Sequence, residues 1–381
     1  MPGYEIIDNK EFKEVSEVFK KSKVLFRMGF DKQRKGIYKV RDFEKKFSKK
    51  LKSKYALAVS SGTAALRVAL STLDLKKTDE VITQSFTFVA TVEAIVEARA
   101  KPVCTEVDET LNMDPEDLIK KITKNTKAVI VVHMLGVPAR LDKIKRICKK
   151  YKIYLIEDTA WGCGAKFKNK FLGTWGDIGA YSFDFAKTLT TGEGGMLLFN
   201  SKKKYEKAKA WHDHGHENNP KFPRWEDTRS SSGFNFRMTE MQGAVGLAQL
   251  KKLDFILNKQ RNNHDKIWNN IKSLSGVSKR FYPRGSKISA DALIIFLKNS
   301  LVAKNCRKQL LKVGISTKIL PEAYTWHFAS EWKHISSIKN LKNGFPKSKK
   351  YLQRCVSIPI FIKMSENHFK KIRAALIKAI S

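Results

Sequence analysis

The chain has 381 residues, 42% of them hydrophobic, and a formal net charge of +37. This length suits two domains, or one large domain with a smaller one attached, and the apolar fraction is sufficient for a packed core. The sequence contains no run of 18 apolar residues and no apolar stretch near its N-terminus, which argues against a membrane-spanning helix and a signal peptide.

The charge and the cysteines narrow the class of protein. Lysines are spread over nearly every predicted helix, in pairs such as Lys49-Lys50 and Lys120-Lys121, and greatly outnumber arginines. Nucleic-acid binders instead concentrate basic residues on one face, and phosphate readers favour arginine. We therefore expect no nucleic-acid partner, although a positive field attracts anionic substrates such as sugar acids and nucleotide sugars. Five cysteines without a CxxC motif predict reduced thiols in a cytoplasmic protein.

The hydrophobic pattern predicts an α/β fold. The polar N-terminal stretch contains amphipathic helical pieces at 12–19 and 40–51. Short apolar runs then alternate with helical stretches and predict seven strands, at 55–59, 81–84, 102–107, 127–133, 153–157, 178–183 and 195–199. Such alternation is typical of a mainly parallel sheet covered on both faces. A long predicted helix at 246–272 leads into a smaller α+β region, so we predict a large domain over residues 1–250 and a small C-terminal domain over 251–381.

One lysine follows a predicted buried strand. The strand that ends near Phe183 is followed by Lys187, in a polar turn that ends in glycines before the next strand begins at Gly195. Burial lowers the pKa of an ammonium group and makes lysine a nucleophile able to form a Schiff base. Considered alone, however, Lys187 is better explained as one of the many surface lysines of this chain.

Two further stretches reverse that interpretation. The strand at 153–157 ends in Glu157 and Asp158, and an acid at the C-terminal end of a strand points into the crevice where open α/β sheets bind ligands. The small residues of Ser60 to Leu66 open a helix after another strand, where N–H groups and a hydroxyl can approach an anion. Pyridoxal phosphate needs a Schiff-base lysine, an acid for its ring nitrogen and a phosphate cup, so the three stretches together predict this cofactor.

These stretches resemble the DegT/DnrJ/EryC1/StrS family of sugar aminotransferases, which has the aspartate aminotransferase fold (fold type I), over nearly the whole chain. The motifs that carry the resemblance are Ser61-Gly62-Thr63-Ala64-Ala65, Ser85 to Thr91, Glu157-Asp158, Gly176 to Gly179, Ser182 to Gly195 and Gly233 to Gln242. The segments Met1 to Glu5, His212 to His216 and Glu331 to Ile335 look closest to a branch that aminates C8 of an octulosonate sugar acid.

The resemblance implies a role for each matching residue. It gives Lys187 and Asp158 as catalytic residues, and as cofactor contacts Gly62, Thr63, Phe88, Asp158, Trp161, Ser182, Lys187 and Asn235. Phe88 would lie against the cofactor ring, whereas Phe86 is expected in the core. Asn235 would reach the cofactor phosphate of a neighbouring subunit, which implies a homodimer with shared active sites, but it is equally explained as a helix N-cap.

Trp161 departs from the family pattern. Relatives often have glutamine at this position, near the phenolic oxygen of the cofactor. An indole can donate one hydrogen bond and accept none. Either Trp161 donates to the same oxygen or that contact is lost.

The activity implied by the resemblance is transamination by a ping-pong mechanism. An amino acid, L-glutamate in the family, would donate its amino group to a keto- or aldehyde-sugar for amino-sugar, lipopolysaccharide or other cell-surface polysaccharide biosynthesis. Some relatives have histidine at the lysine position and are sugar dehydratases, which Lys187 argues against here. A dehydratase or isomerase with the same cofactor and a non-catalytic basic binding protein remain alternatives. The latter would be expected to have lost Lys187, Asp158 or Ser182.

Two histidine-containing stretches allow more than one interpretation. His212-Asp213-His214-Gly215-His216 offers ligand types that metals prefer, but Asp213 and Gly215 indicate a loop, so we expect no metal site and instead a contact with a carboxylate or phosphate of the substrate. A long polar loop follows at 217–232. The pairs around Trp326-His327 and Trp332 are explained equally well as sugar-binding aromatics and as a satellite core.

Overall fold

A computed structural model of the chain describes residues 2–219 and 221–381. Met1, the first residue of the opening motif, and Pro220, in the polar loop at 217–232, lie outside the described residues. The strands of the described part are β1 Tyr55–Val59, β2 Glu80–Gln84, β3 Lys101–Thr105, β4 Thr126–Val132, β5 Tyr154–Asp158, β6 Lys166–Phe167, β7 Lys170–Phe171, β8 Ile178–Ser182, β9 Gly195–Phe199, β10 Ser278–Lys279, β11 Ser286–Lys287, β12 Ala292–Phe296 and β13 Cys355–Pro359.

Helices separate most of these strands. They are α1 Asn9–Glu17, α2 Asp31–Arg34, α3 Lys39–Leu51, α4 Gly62–Ser71, α5 Ala90–Glu97, α6 Pro115–Lys121, α7 Leu141–Tyr151, α8 Lys202–Trp211, α9 Glu240–Ile271, α10 Ser300–Lys312, α11 Tyr324–His327, α12 Pro346–Leu352 and α13 Glu366–Ile380. A π-helical turn, Val18–Ser22, continues α1. Short 3-10 turns lie at Tyr4–Ile6, Met134–Gly136, Arg224–Glu226, Ala329–Glu331 and Leu341–Asn343.

The central sheet has seven strands in the order β1-β9-β8-β5-β4-β2-β3. β9 runs antiparallel to both of its neighbours, and the other neighbouring pairs are parallel. All seven predicted strands are confirmed, with ends that differ from the predicted ends by at most one or two residues. Every residue of β2, β8 and β9 is buried, because helices cover both faces of the sheet.

The C-terminal part adds a second, antiparallel sheet. β12 lies between β10 and β13, and α10 and α13 pack against it around a core that includes Leu293, Ile295 and Leu376. The fold class is therefore the predicted α/β architecture with a smaller α+β part. α9 runs through residue 250, and the division of the chain at that residue stays a prediction.

Capping residues define where two of the helices begin. Asp114 accepts a hydrogen bond from the Glu116 N–H ahead of α6, and Pro115 occupies the first helical position. Thr239 and Gln242 form a capping box at the start of α9. The interpretation of Asn235 as an N-cap is therefore wrong, since its backbone pairs with Asp213 four residues before the helix cap.

The described residues include no helix that is long and apolar enough to cross a membrane. The five cysteines are free and buried. Burial raises the pKa of the Cys104 thiol to about 12, which makes it a poor nucleophile.

A buried ion pair joins the N-terminal segment to α9. The Arg34 guanidinium lies 3.1 Å from a carboxylate oxygen of Glu240, and both side chains are almost completely buried. Arg34 also donates hydrogen bonds to the carbonyls of Gly29 and Phe26. The other oxygen of Glu240 accepts a hydrogen bond from the Val40 N–H. Removal of either partner would leave a buried charge without compensation.

We predict that Arg34→Met lowers the free energy of unfolding by about 3–5 kcal/mol, because Glu240 stays buried without its cation. Chemical denaturation followed by circular dichroism measures this change. Lys266→Met is the control, since Lys266 pairs with Glu366 on the surface and such pairs contribute only ~0–1 kcal/mol. Equal effects of the two substitutions would contradict the prediction.

Candidate functional site

A crevice with a volume of about 480 Å³ opens at the carboxyl ends of the parallel strands. Open α/β sheets bind their ligands at this edge. Asp158 at the end of β5, Ser182 at the end of β8 and the first turn of α4 all line it. Because β5 and β8 are neighbours in the sheet, side chains that are far apart in sequence meet here. Thr317 to Ile319 and His327 line it from the C-terminal part.

Lys187 lies half-buried in the turn between β8 and β9. Its backbone N–H donates to the Asp184 carbonyl over 3.0 Å, and its own carbonyl accepts a hydrogen bond from the Gly3 N–H over 3.2 Å. Its ammonium nitrogen is 3.3 Å from the centroid of the Trp161 ring. The opening segment of the chain thus contacts the backbone of the candidate nucleophile.

The surroundings of Lys187 favour its neutral form. Burial, followed by the positive charge of Lys318, lowers the pKa of the Lys187 amine to about 8. The carboxylates of Asp291, Asp184 and Asp158 act in the opposite direction and do not outweigh burial. A lysine with this pKa is a base and a nucleophile near neutral pH, unlike an ordinary surface lysine.

Asp158 is held by hydrogen bonds to each of its carboxylate oxygens. One oxygen accepts from the Ala160 N–H and the other from the Thr91 hydroxyl, both over 3.1 Å. The Thr87 hydroxyl lies 2.8 Å from that of Thr91 and supports it in turn. Burial raises the pKa of Asp158, whereas these hydrogen bonds and the charge of Lys187 lower it. A cationic hydrogen-bond donor placed against this carboxylate would therefore stabilise its charged form.

Close contacts shape the first turn of α4 into a cup. Ser61 caps the helix by accepting a hydrogen bond from the Ala64 N–H over 3.0 Å. A Cβ atom at Gly62 would lie 2.7 Å from Cβ of Ser182, and one at Gly195 would lie 2.2 Å from the Ser61 carbonyl oxygen. Only glycine fits at these two positions. They bring the helix N-terminus, the Ser182 hydroxyl and exposed Thr63 to one end of the crevice, where an anion fits.

Aromatic rings line another part of the crevice. Phe88 is 42% exposed and packs 6.3 Å from Trp326 and 5.3 Å from His327, measured between ring centroids. Phe86 is completely buried, as predicted. Trp332 is also completely buried, and its indole N–H donates to the Thr325 carbonyl. Trp332 therefore belongs to the core and His327 lines the crevice, whereas sugar binding by this stretch stays a prediction.

The residues His212 to His216 form a loop, in which the side chains of Asp213 and His216 pair with charged residues of the same chain. Asp213 is buried and pairs with Arg224 and Arg237. His216 pairs with Asp227. Within the described residues, no group of three or more histidine, cysteine or acidic side chains is arranged to hold a metal ion. Neither this loop nor exposed Asn235 lines the crevice of its own chain.

Several residues of the crevice could not be identified from the sequence. Thr87 and Thr91 lie within the motif Ser85 to Thr91, but no sequence pattern indicates that their hydroxyls support Asp158. Lys318 and Thr317 come from a stretch without a recognisable motif. Only the tertiary fold brings them to Lys187.

Comparisons with known proteins agree on one family. The model of the DegT/DnrJ/EryC1/StrS aminotransferase family matches residues 7–377. GDP-perosamine synthase of Vibrio cholerae is 31% identical over 348 residues, which are 87% of this chain and 88% of that protein. The enzyme of the same name from Escherichia coli O157:H7 is 39% identical over 246 residues, 64% of this chain and 66% of the relative. The X-ray structure of an aminotransferase from Psychrobacter cryohalolentis is similar to this chain with a TM-score of 0.86 and 28% sequence identity. The match covers 98% of this chain and 96% of the Psychrobacter chain.

We predict that Lys187 reacts with acetic anhydride with a half-maximal rate near pH 8, because the neutral amine is the reactive form and its pKa is lowered to about 8. Ordinary lysines, with pKa values near 10.4, serve as internal controls. Trace labelling across a pH series, read by peptide mass spectrometry, gives both profiles in one sample. Coincident profiles for Lys187 and the exposed lysines would contradict this description of the crevice.

Proposed function

We propose that this chain, which belongs to the DegT/DnrJ/EryC1/StrS family of pyridoxal-phosphate-dependent aminotransferases, moves an amino group from L-glutamate to a keto- or aldehyde-sugar. The observation that carries the proposal is the meeting of Lys187, Asp158 and the first turn of α4 in one crevice. The names of the relatives support a sugar as acceptor and a role in amino-sugar and cell-surface polysaccharide biosynthesis.

The residues of the crevice fit pyridoxal phosphate. The glycine-lined cup at α4, with Thr63 and Ser182, would hold the phosphate. Asp158 would accept a hydrogen bond from the protonated ring nitrogen, and this cationic donor would favour the charged form of the carboxylate. Phe88 would lie against the ring. When bound, the cofactor supplies an electron sink for the carbanion that forms at the amino acid Cα.

Lys187 would carry the proton during the reaction. Its neutral Nζ would take the proton from Cα of the amino donor as general base. It would then deliver this proton to C4′ of the cofactor as general acid. A pKa of about 8 leaves an appreciable fraction of the amine neutral near pH 7 and keeps the ammonium form a competent acid. Asp158 would keep the ring nitrogen protonated while the proton moves.

We also propose that the enzyme works as a homodimer whose active sites are shared. Asn235 is exposed and does not line the crevice of its own chain, so it is free to reach the cofactor phosphate of a partner, as the family resemblance implies. Neighbouring Phe234 and Trp225 are also exposed, at 58% and 80%. Large aromatic side chains are enriched in protein interfaces, which supports a contact on this side of the chain.

The first test is the absorbance spectrum of the purified protein before and after the addition of L-glutamate. We expect the bound cofactor to convert to its aminated form and to return when the acceptor sugar is added. In Lys187→Ala this first half-reaction should be slower by about 10²–10⁴-fold or more, because the proton carrier is gone. Lys298→Met, a change at an exposed lysine, is the matched control.

The other outcomes of this test separate the alternatives. A protein that binds pyridoxal phosphate but responds to no amino donor would be a dehydratase or isomerase, and the aminotransferase proposal would fail. A protein that does not take up the cofactor would not be an enzyme of this kind. Nucleotide-linked keto-sugars and a C8 aldehyde of an octulosonate acid are the acceptors to screen first.

A shared site predicts complementation between two inactive variants. When Lys187→Ala and Asn235→Asp are co-expressed, each mixed dimer keeps one site with both native residues, so activity should recover to about a quarter of the wild-type value. Each variant expressed alone is the control and should stay inactive. If Asn235 acts within its own chain, co-expression will restore no activity, and the proposed sharing is refuted.

A further inference from the structure

Two lysines face the same indole ring in the crevice. The ammonium nitrogen of Lys187 is 3.3 Å from the centroid of the Trp161 ring, and that of Lys318 is 4.8 Å from it. Both distances are within the range of a cation–π contact, so one ring offers its electron density to two cations. Lys318 lies in the stretch that the C-terminal part contributes, and its backbone N–H donates to the Ser357 carbonyl over 2.9 Å.

Lys318 is anchored by a buried carboxylate. Its ammonium nitrogen lies 2.7 Å from a carboxylate oxygen of Asp291, and the two side chains are only 10% and 1% exposed. Among residues 2–219 and 221–381, Lys318 is the one ion-pair partner of Asp291, and apart from this ion pair no polar group reaches either carboxylate oxygen. Separating the two groups would leave two buried charges unpaired, which is costly, so Asp291 fixes the position of the Lys318 ammonium group.

We propose that Lys318, fixed by Asp291 against the Trp161 ring, is a positioning residue that favours the neutral amine of Lys187 by presenting a second cation to the same ring. The proposal deepens the proposed function, since the neutral amine is the form that would take the proton from the amino donor.

The charges around Lys187 are consistent with this role. Asp184 precedes it in the same turn, Asp158 faces it from β5, and Asp291 faces it from the start of β12; all three favour the ammonium form. His327 also borders the crevice, but burial lowers its pKa to about 4, so it is uncharged at neutral pH. Lys318 is the one cation among these groups, and its charge supports the lowered pKa of Lys187.

The test removes the charge of Lys318 and follows Lys187 in the full-length protein after removal of the cofactor. Lys318→Gln keeps an N–H donor for Asp291, and Lys318→Met keeps the length of the side chain. In both variants we expect labelling of Lys187 by acetic anhydride at pH 8 to fall about 3- to 10-fold, because a rise of one pKa unit reduces the neutral fraction up to tenfold. Lys318→Arg should restore the wild-type profile, and Lys298→Met is the control.

The labelling needs neither cofactor nor substrate, so its result is independent of whether the chain is an aminotransferase. A folded Lys318→Gln protein, judged by its melting temperature, in which Lys187 keeps the wild-type pH profile would overturn the proposal. A profile that shifts equally in Lys318→Arg would overturn it as well, because the effect would then come from altered packing. In the holoenzyme, the pH profile of the half-reaction with L-glutamate should shift upward in the same variants.

Discussion

The amine of Lys187 lies where a positive charge is disfavoured, and much of the crevice is arranged around that condition. Burial and Lys318 lower its pKa to about 8, while three carboxylates keep it from falling further. The backbone of the turn is held from two sides, by Asp184 within the turn and by Gly3 from the start of the chain. A fixed backbone reduces the entropy that the lysine loses when it reacts, compared with a lysine in a free surface loop.

The topology of the sheet brings the other groups to this amine. β5 and β8 are adjacent and parallel, so Asp158 and Ser182 emerge at the same edge. The close contacts of Gly62 and Gly195 then bring the N-terminus of α4 against the end of β8. The anion-binding N-terminus of α4 and the cation-binding carboxylate of Asp158 thus lie at separate places in one crevice. Such separation suits a ligand with a phosphate at one end and a basic ring nitrogen elsewhere.

The sequence predicted the parts of this arrangement that depend on local pattern. Buried strands are short apolar runs. Asp158 ends such a run, and Gly62 and Lys187 follow within a few residues of one, so their place near the strand ends could be inferred. The support of Asp158 by Thr91 and the approach of Lys318 depend on the packing of distant segments, which no local pattern encodes. The error at Asn235 was avoidable. Thr239 and Gln242 have the spacing of a capping box, a stronger signal than a lone asparagine.

The net charge of +37 and the near neighbours of Lys187 act on its amine over different distances. Charges on exposed lysines are screened over about 8 Å at physiological ionic strength, so most of them have little effect on a group inside the crevice. Lys187 responds instead to its near neighbours, of which Asp158 and Asp291 are buried and only weakly screened. The surface charge can still accelerate the approach of anionic substrates. A lysine-rich composition is therefore compatible with one chemically distinct lysine, because burial and specific partners, not sequence abundance, set its proton affinity.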